Sequence, residues 1–299
     1  MDEPLIAALV VVGAWWLSTG AVLRLVWLDA STYPVSLAAS TVLGLASLGG
    51  VIALREDTSV SAAYLGFACA LGVWAWHELA FLLGVVTGPR KVAADLTATG
   101  WTRFRHAAAT VMHHELALAA TALALVALSV GAANQVAAWT FGILWAMRVS
   151  AKLNVFLGVR NVAREFVPSH LRYLVSYFRR ARFNPLMPLS LLAGFAAAAA
   201  FAHRAFDAGT GYAAVRGGLL ATLTLLAAIE HVFLAVSLPD AALWRWALRP
   251  KRVQDTNEPQ TPVREAPSSR TKQEDSADFM RPKGDALRAP LAGDLPNDA

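Results

Sequence analysis

The feature that most constrains this chain is a succession of apolar runs, each about as long as a bilayer is thick. A helix rises ~1.5 Å per residue and the hydrocarbon core measures ~30 Å, so ~20 apolar residues suffice to cross it. Seven such runs occur, over residues 5–28, 35–54, 60–86, 107–130, 136–159, 186–206 and 212–238. Hydrophobic residues make up 56% of the 299 and charged residues 16%, against ~45–50% and ~25% in soluble domains. A soluble enzyme has no interior large enough for this, and most of the chain is too apolar to be disordered. The fold class read from the sequence is therefore all-α: a polytopic membrane helical bundle of about seven transmembrane helices. The start, Met-Asp-Glu-Pro, is acidic and its apolar run is long, so the first run reads as a retained span rather than a signal peptide. The single cysteine, Cys69, excludes a disulfide within the chain and a paired-cysteine metal knuckle.

Lys and Arg in the connections set the expected orientation. The first and fourth connections have none, and the second has Arg55 beside Glu56 and Asp57. The third holds Arg90, Lys91, Arg103 and Arg105, the fifth holds six arginines, and Arg245, Arg249, Lys251 and Arg252 follow the seventh run. Basic connections on alternate loops predict a periplasmic N-terminus and a cytoplasmic C-terminus. Residues 1–250 read as the integral membrane domain. Residues 251–299 are rich in Pro, Ser and charge and nearly free of aromatics, which predicts a disordered cytoplasmic tail. Trp244 and Trp246 follow the last run, where a headgroup belt is expected.

Ionisable residues inside spans are costly, at least ~2.5–3.5 kcal/mol each on insertion scales, and so are candidates for function. The third run carries His77 and Glu78, the fourth His113, His114 and Glu115, the fifth Arg148 and Lys152 with the polar Asn154, and the seventh Glu230 and His231. Counting from the run ends at ~1.5 Å per residue puts them roughly 9–17 Å from the cytoplasmic edge, in one slab. Three readings stay open. The charges can pair and fix helix packing. They can form a ligand site, with His77, His113, His114 and His231 as axial ligands to a tetrapyrrole metal, and the Glu, Arg148 and Lys152 setting protonation and orientation. They can serve transport or a proton relay, although the outer halves of the third to fifth runs hold no matching polar path. The Glu-x-x-His spacing of di-iron bundles is absent, and the metal reading names no ligand set. No GxGxxG, P-loop, HExxH or GxSxG occurs, so no catalytic residue is assigned.

The fifth connection carries Arg160, Arg164, Arg172, Arg179, Arg180 and Arg182. Leu171, Leu174, Val175 and Phe178 recur at helical spacing beside them. This predicts a cytoplasmic amphipathic helix lying on the leaflet, its arginines meeting membrane lipid or an acidic partner. Nucleic-acid binding needs no place in that reading.

The strings WHELAFLLGVVTGPRK (76–91), HHELALAATALAL (113–125), AKLNVFLGVRN (151–161), SYFRRARFNPLMPLS (176–190) and EHVFLAVSLPDAALWRWAL (230–248) resemble the PuhE family. Those are photosynthetic complex assembly proteins of purple phototrophic bacteria. The resemblance covers roughly residues 5–250. It implies an inner-membrane protein, encoded beside the reaction-centre H subunit, that serves assembly of the reaction centre and light-harvesting apparatus or bacteriochlorophyll supply. It implies partners among reaction-centre or light-harvesting subunits and other assembly factors, and bacteriochlorophyll or a precursor as the ligand. It carries over no catalytic residues. The reading is thus a non-enzymatic assembly factor. Its alternatives are a membrane-embedded metal-dependent enzyme of pigment metabolism and a small-solute transporter.

Overall fold

The structure is a computed structural model that describes residues 2–162, 164–236, 244, 246 and 247. Each apolar run folds as one long helix: α1 (Glu3–Val26), α2 (Tyr33–Ala53), α3 (Val60–Leu82), α4 (Gly100–Ser129), α5 (Val136–Leu157), α6 (Leu186–Ala208) and α7 (Gly211–Ala235). Among the described residues there is no strand, only an isolated bridge between Val159 and Arg180. Six of the helices are long and apolar enough to cross a membrane. The other, α5, has the length at 22 residues but carries Arg148 and Lys152, which lower its mean hydropathy. The protein is a multi-pass membrane helical bundle.

Local chemistry sets the helix boundaries. Ser59 caps α3, its hydroxyl accepting from the Ala62 N–H. Asp57 accepts from the Ser59 N–H, and hydrogen bonds from Ser59 hold its carboxyl below the usual carboxylate range. Pro4 and Pro34 stand in the first turns of α1 and α2, where no amide donor is needed. The α6–α7 connection is two residues long and depends on Gly209 at φ 70°. So short a turn forces α6 back along α7. Their contact is correspondingly close, since a Cβ on Gly217 would lie 2.7–2.9 Å from Ala205 atoms. Gly217→Ala is therefore expected to destabilise the bundle by about 1–3 kcal/mol. Gly142→Ala, where a Cβ meets nothing within 4 Å, should be neutral or better, because alanine favours the helix. Denaturant titration in detergent compares them, and equal stability of the two variants would refute the close-contact argument.

Hydrogen bonds gather four helix N-termini at one end. Glu3 accepts from the Gly211 N–H. Tyr212 donates its hydroxyl to Asn134 Oδ1 at 3.0 Å, and Asn134 Nδ2 donates to the Ala62 carbonyl at 3.3 Å. The starts of α1, α3, α5 and α7 thus meet, and these helices run parallel as an inner group. Their packing is apolar in this half, built on Ala7, Val11, Phe67, Val136, Val215 and Leu219. Outside them, α2 lies on α3, α6 on α7, and α4 on α5 and α3.

Three expectations change at the opposite end. First, α4 starts at Gly100, a full two turns before its apolar run, because Arg103 donates to the Tyr177 carbonyl at 2.9 Å and stacks on Phe156. Second, the amphipathic helix of the fifth connection is 3₁₀ rather than α. The connection forms 3₁₀ turns over Arg164–Phe166 and Ser169–Tyr177. Its Leu171 and Leu174 are buried against Phe81, so the apolar stripe is spent on the protein itself. The third connection ties it down: Arg90 Nε donates to the Tyr177 hydroxyl, and the Ala94 N–H donates to Ser176. Arg160, Arg164, Arg172, Arg179, Arg180 and Arg182 all stay exposed. Third, whereas Trp246 is exposed as a belt residue would be, Trp244 is not. It is buried edge-on against Trp15, with ring centroids 5.1 Å apart, in a pocket with Leu23 and Phe166. The expected tail, residues 251–299, lies outside the described residues.

Candidate functional site

Below the apolar half, the four inner helices separate around a cavity of about 380 Å³. Its walls come from helical stripes. On α1 they are Val11, Trp15, Ser18 and Val22; on α3, Leu71, Trp74, Ala75, Glu78 and Leu82. On α5 they are Leu144, Met147, Arg148 and Ala151; on α7, Leu223, Ala227, Glu230 and Phe233. The recurring spacings of three and four residues place each set on one face of its helix. Phe166 and Trp244 close the cavity toward the basic end.

The cavity is apolar and aromatic, with a few polar groups among its walls. Arg148 of α5 pairs with Glu78 of α3. The Trp15 indole donates to Glu230 Oε1 at 2.7 Å. Two buried atoms of the ion pair, Glu78 Oε1 and Arg148 Nε, have no hydrogen-bond partner. Behind this site a second pair, Glu115 of α4 with Lys152 of α5, ties the outer helix to the inner group. The Trp145 indole lies 3.4 Å from Glu115 Oε2, and Lys152 sits over the Phe81 ring.

The slab read from the sequence is thus real as a grouping, but its members divide. Glu78, Arg148 and Glu230 line the cavity, whereas Glu115 and Lys152 pair beside it. The histidines turn elsewhere. His77 Nε2 lies 2.9 Å from Thr121 Oγ1 on α4. His231 places Nδ1 2.8 Å from the Ala227 carbonyl and Nε2 2.9 Å from the Ser150 hydroxyl. His114 is buried with its ring 4.5 Å from Phe81 and 6.5 Å from His77, and neither nitrogen has a partner. His113 is exposed on the outer side of α4, away from all of these.

Sequence reasoning passed over Trp15, Thr121, Ser150 and Ser190, and named Asn154 only as a polar residue of the fifth run. Ser150, Ser190 and Asn154 form a hydrogen-bonded cluster that joins α5 to α6 and receives His231. The neutral hydroxyls of Thr121, Ser150 and Ser190 carry no hydropathy signal strong enough to flag them. Trp15 did leave one: it sits in mid-span, where an indole N–H needs a partner.

The donor set decides what the cavity can hold. No histidine lines it, so a tetrapyrrole there finds no axial imidazole among the described residues. Nor do any three His, Cys, Asp or Glu side chains among them converge to hold a metal ion. The cavity offers instead aromatic walls, a carboxylate held by an indole, and an ion pair.

Residues 1–255 match the family described as protein of unknown function DUF3623. A protein of Rhodobacter capsulatus, described as an uncharacterized 30.4 kDa protein in the puhA 5′ region, is 40% identical over 253 residues. The alignment covers 83% of this chain and 92% of that protein. No solved structure matches the chain.

Proposed function

The chain belongs to the DUF3623 family, in keeping with its PuhE-like sequence, and from that premise we propose that it is a non-enzymatic assembly factor of the photosynthetic apparatus. Its central cavity receives an apolar group, either part of a bacteriochlorophyll or precursor or a side chain of a partner helix. The observation that carries this reading is the cavity itself, apolar and aromatic, with an indole-held carboxylate and an ion pair on its walls. The relative is described by its place in the puhA 5′ region, and that supports the pathway. Pigment contact in this reading runs through Trp15, Trp74, Phe233 and Glu230 and not through an axial histidine. The basic end, with the third and fifth connections, faces the cytoplasm of the bacterial inner membrane and the N-terminus faces the periplasm, by the charge rule.

Deleting the gene is expected to lower the assembled reaction centre, read as its near-infrared absorbance per cell, and the wild-type gene should restore it. The tagged protein from pigment-synthesising cells then reports on the ligand. A stoichiometric tetrapyrrole band that persists in His77→Ala and His231→Ala supports pigment in the cavity. A band lost in either of these variants at unchanged protein level would return axial ligation to consideration. A colourless protein with co-purifying reaction-centre subunits supports the partner-helix form. Unchanged reaction-centre absorbance in the deletion strain would sink the proposal.

A further inference from the structure

A second groove lies at the basic end, outside the bundle. It forms where residues 87–92 dock along the first half of α4, at Ala109 to His114. The Thr87 carbonyl accepts from the His114 N–H at 2.9 Å, and the Ala109 carbonyl accepts from the Arg90 N–H at 3.2 Å. Gly88 makes this docking feasible, because any Cβ there would overlap the Ala109 carbonyl oxygen. The groove encloses about 680 Å³. Its floor is Phe104, Ala108 and Met112, with Trp101 at its rim. The floor and rim residues recur at three, four and four positions, so they make one stripe of α4 running down into the membrane.

The upper part of the groove is cationic. Arg90, Lys91, Arg105 and His106 line it. Arg90 is held in place by its bond to Tyr177. His106 Nδ1 is buried and has no partner. One acid stands near, Asp95, whose Oδ1 accepts from the Thr97 N–H and hydroxyl. Those bonds hold its carboxyl below the usual range, so it is anionic at neutral pH and yet outnumbered by the cations. The lower part is apolar and open: Met112 is 41% exposed, and Leu116 continues it at 60%. Seven residues separate Arg105 from Met112, a drop of about 10 Å along the helix. That matches the step from a lipid headgroup to its acyl chain.

We propose that this groove binds one anionic phospholipid, its phosphate between Lys91, Arg105 and His106 and an acyl chain along Met112 and Leu116. A soluble phosphate would use the cations and leave the stripe bare. A neutral lipid would use the stripe and leave the cations unanswered. The proposal is independent of the cavity and of the assembly role.

Native mass spectrometry of the full chain, loaded with phosphatidylglycerol or with phosphatidylcholine of the same acyl chains, tests it. Phosphatidylglycerol is expected to stay bound at activation energies that strip phosphatidylcholine. The double substitution Lys91→Glu/Arg105→Glu should lower its retention about tenfold or more, since each surface cation contributes separately to holding an anionic headgroup. Arg172→Glu, on the exposed arginine face of the fifth connection, should leave retention unchanged. If the charge reversals prevent folding, Lys91→Gln/Arg105→Gln replaces them, with the same direction expected. Equal loss of the two lipids, or an equal effect of Arg172→Glu, overturns the site. Displacement of the lipid by millimolar inorganic phosphate would make it a phosphate site and likewise overturn the proposal.

Discussion

Replacing Arg148 by methionine is expected to destabilise the bundle by about 3 kcal/mol, more than any other single change at the cavity. The reason is what remains. Arg148 keeps 41% of its side chain exposed, but Glu78 keeps only 10%, and its Oε1 already lacks a partner. Without the guanidinium its carboxylate is left in hydrocarbon with Glu230 as the nearest charged wall residue. The reverse change, Glu78→Gln, should cost less, because Arg148 keeps Glu230 within the same cavity. The double variant Glu78→Gln/Arg148→Met removes both charges and should recover most of the loss. The cycle, measured by reversible denaturation in mixed micelles, isolates the coupling. An ordinary interhelical polar contact in membranes is worth only ~0.6 kcal/mol. A loss for Arg148→Met of that size would refute the buried-pair account and mean that water in the cavity solvates Glu78.

That asymmetry also shows where reading the sequence reached and where it stopped. Apolar run length carried the fold: all seven runs became helices, because only a helix satisfies its own backbone in lipid. Depth along the runs carried the grouping of Glu78, Arg148, Lys152 and Glu230. Rotation about each helix axis was not legible in the same way. His77 and Glu78 are neighbours in sequence and point ~100° apart, and only packing decides which one meets the cavity. Here Glu78 does, and His77 turns to Thr121 on α4. The same ambiguity put His113 with His114, although one is exposed and the other buried. Amphipathicity had a further limit in the fifth connection. A stripe such as Leu171 and Leu174 states that something apolar covers it, and lipid and Phe81 satisfy that demand equally well.

The cavity can be closed without touching its charges, and this separates a working site from a packing defect. Ala75 on α3 and Ala227 on α7 both line it. Ala227→Phe should place a ring in space that no side chain occupies, at a cost far below that of overpacking a filled core. Protein level and denaturation midpoint are expected to stay at or above wild type. Assembled reaction centre in the complemented deletion strain is expected to fall about tenfold or more, close to the strain lacking the gene. Ala75→Phe, from the facing helix, should do the same independently. If either variant accumulates normally and supports full assembly, the cavity plays no part in the function. The Glu78–Arg148 pair and the Trp15–Glu230 bond would then serve to hold α3 to α5 and α1 to α7, and the search for the working surface would move to the exposed arginines of the fifth connection.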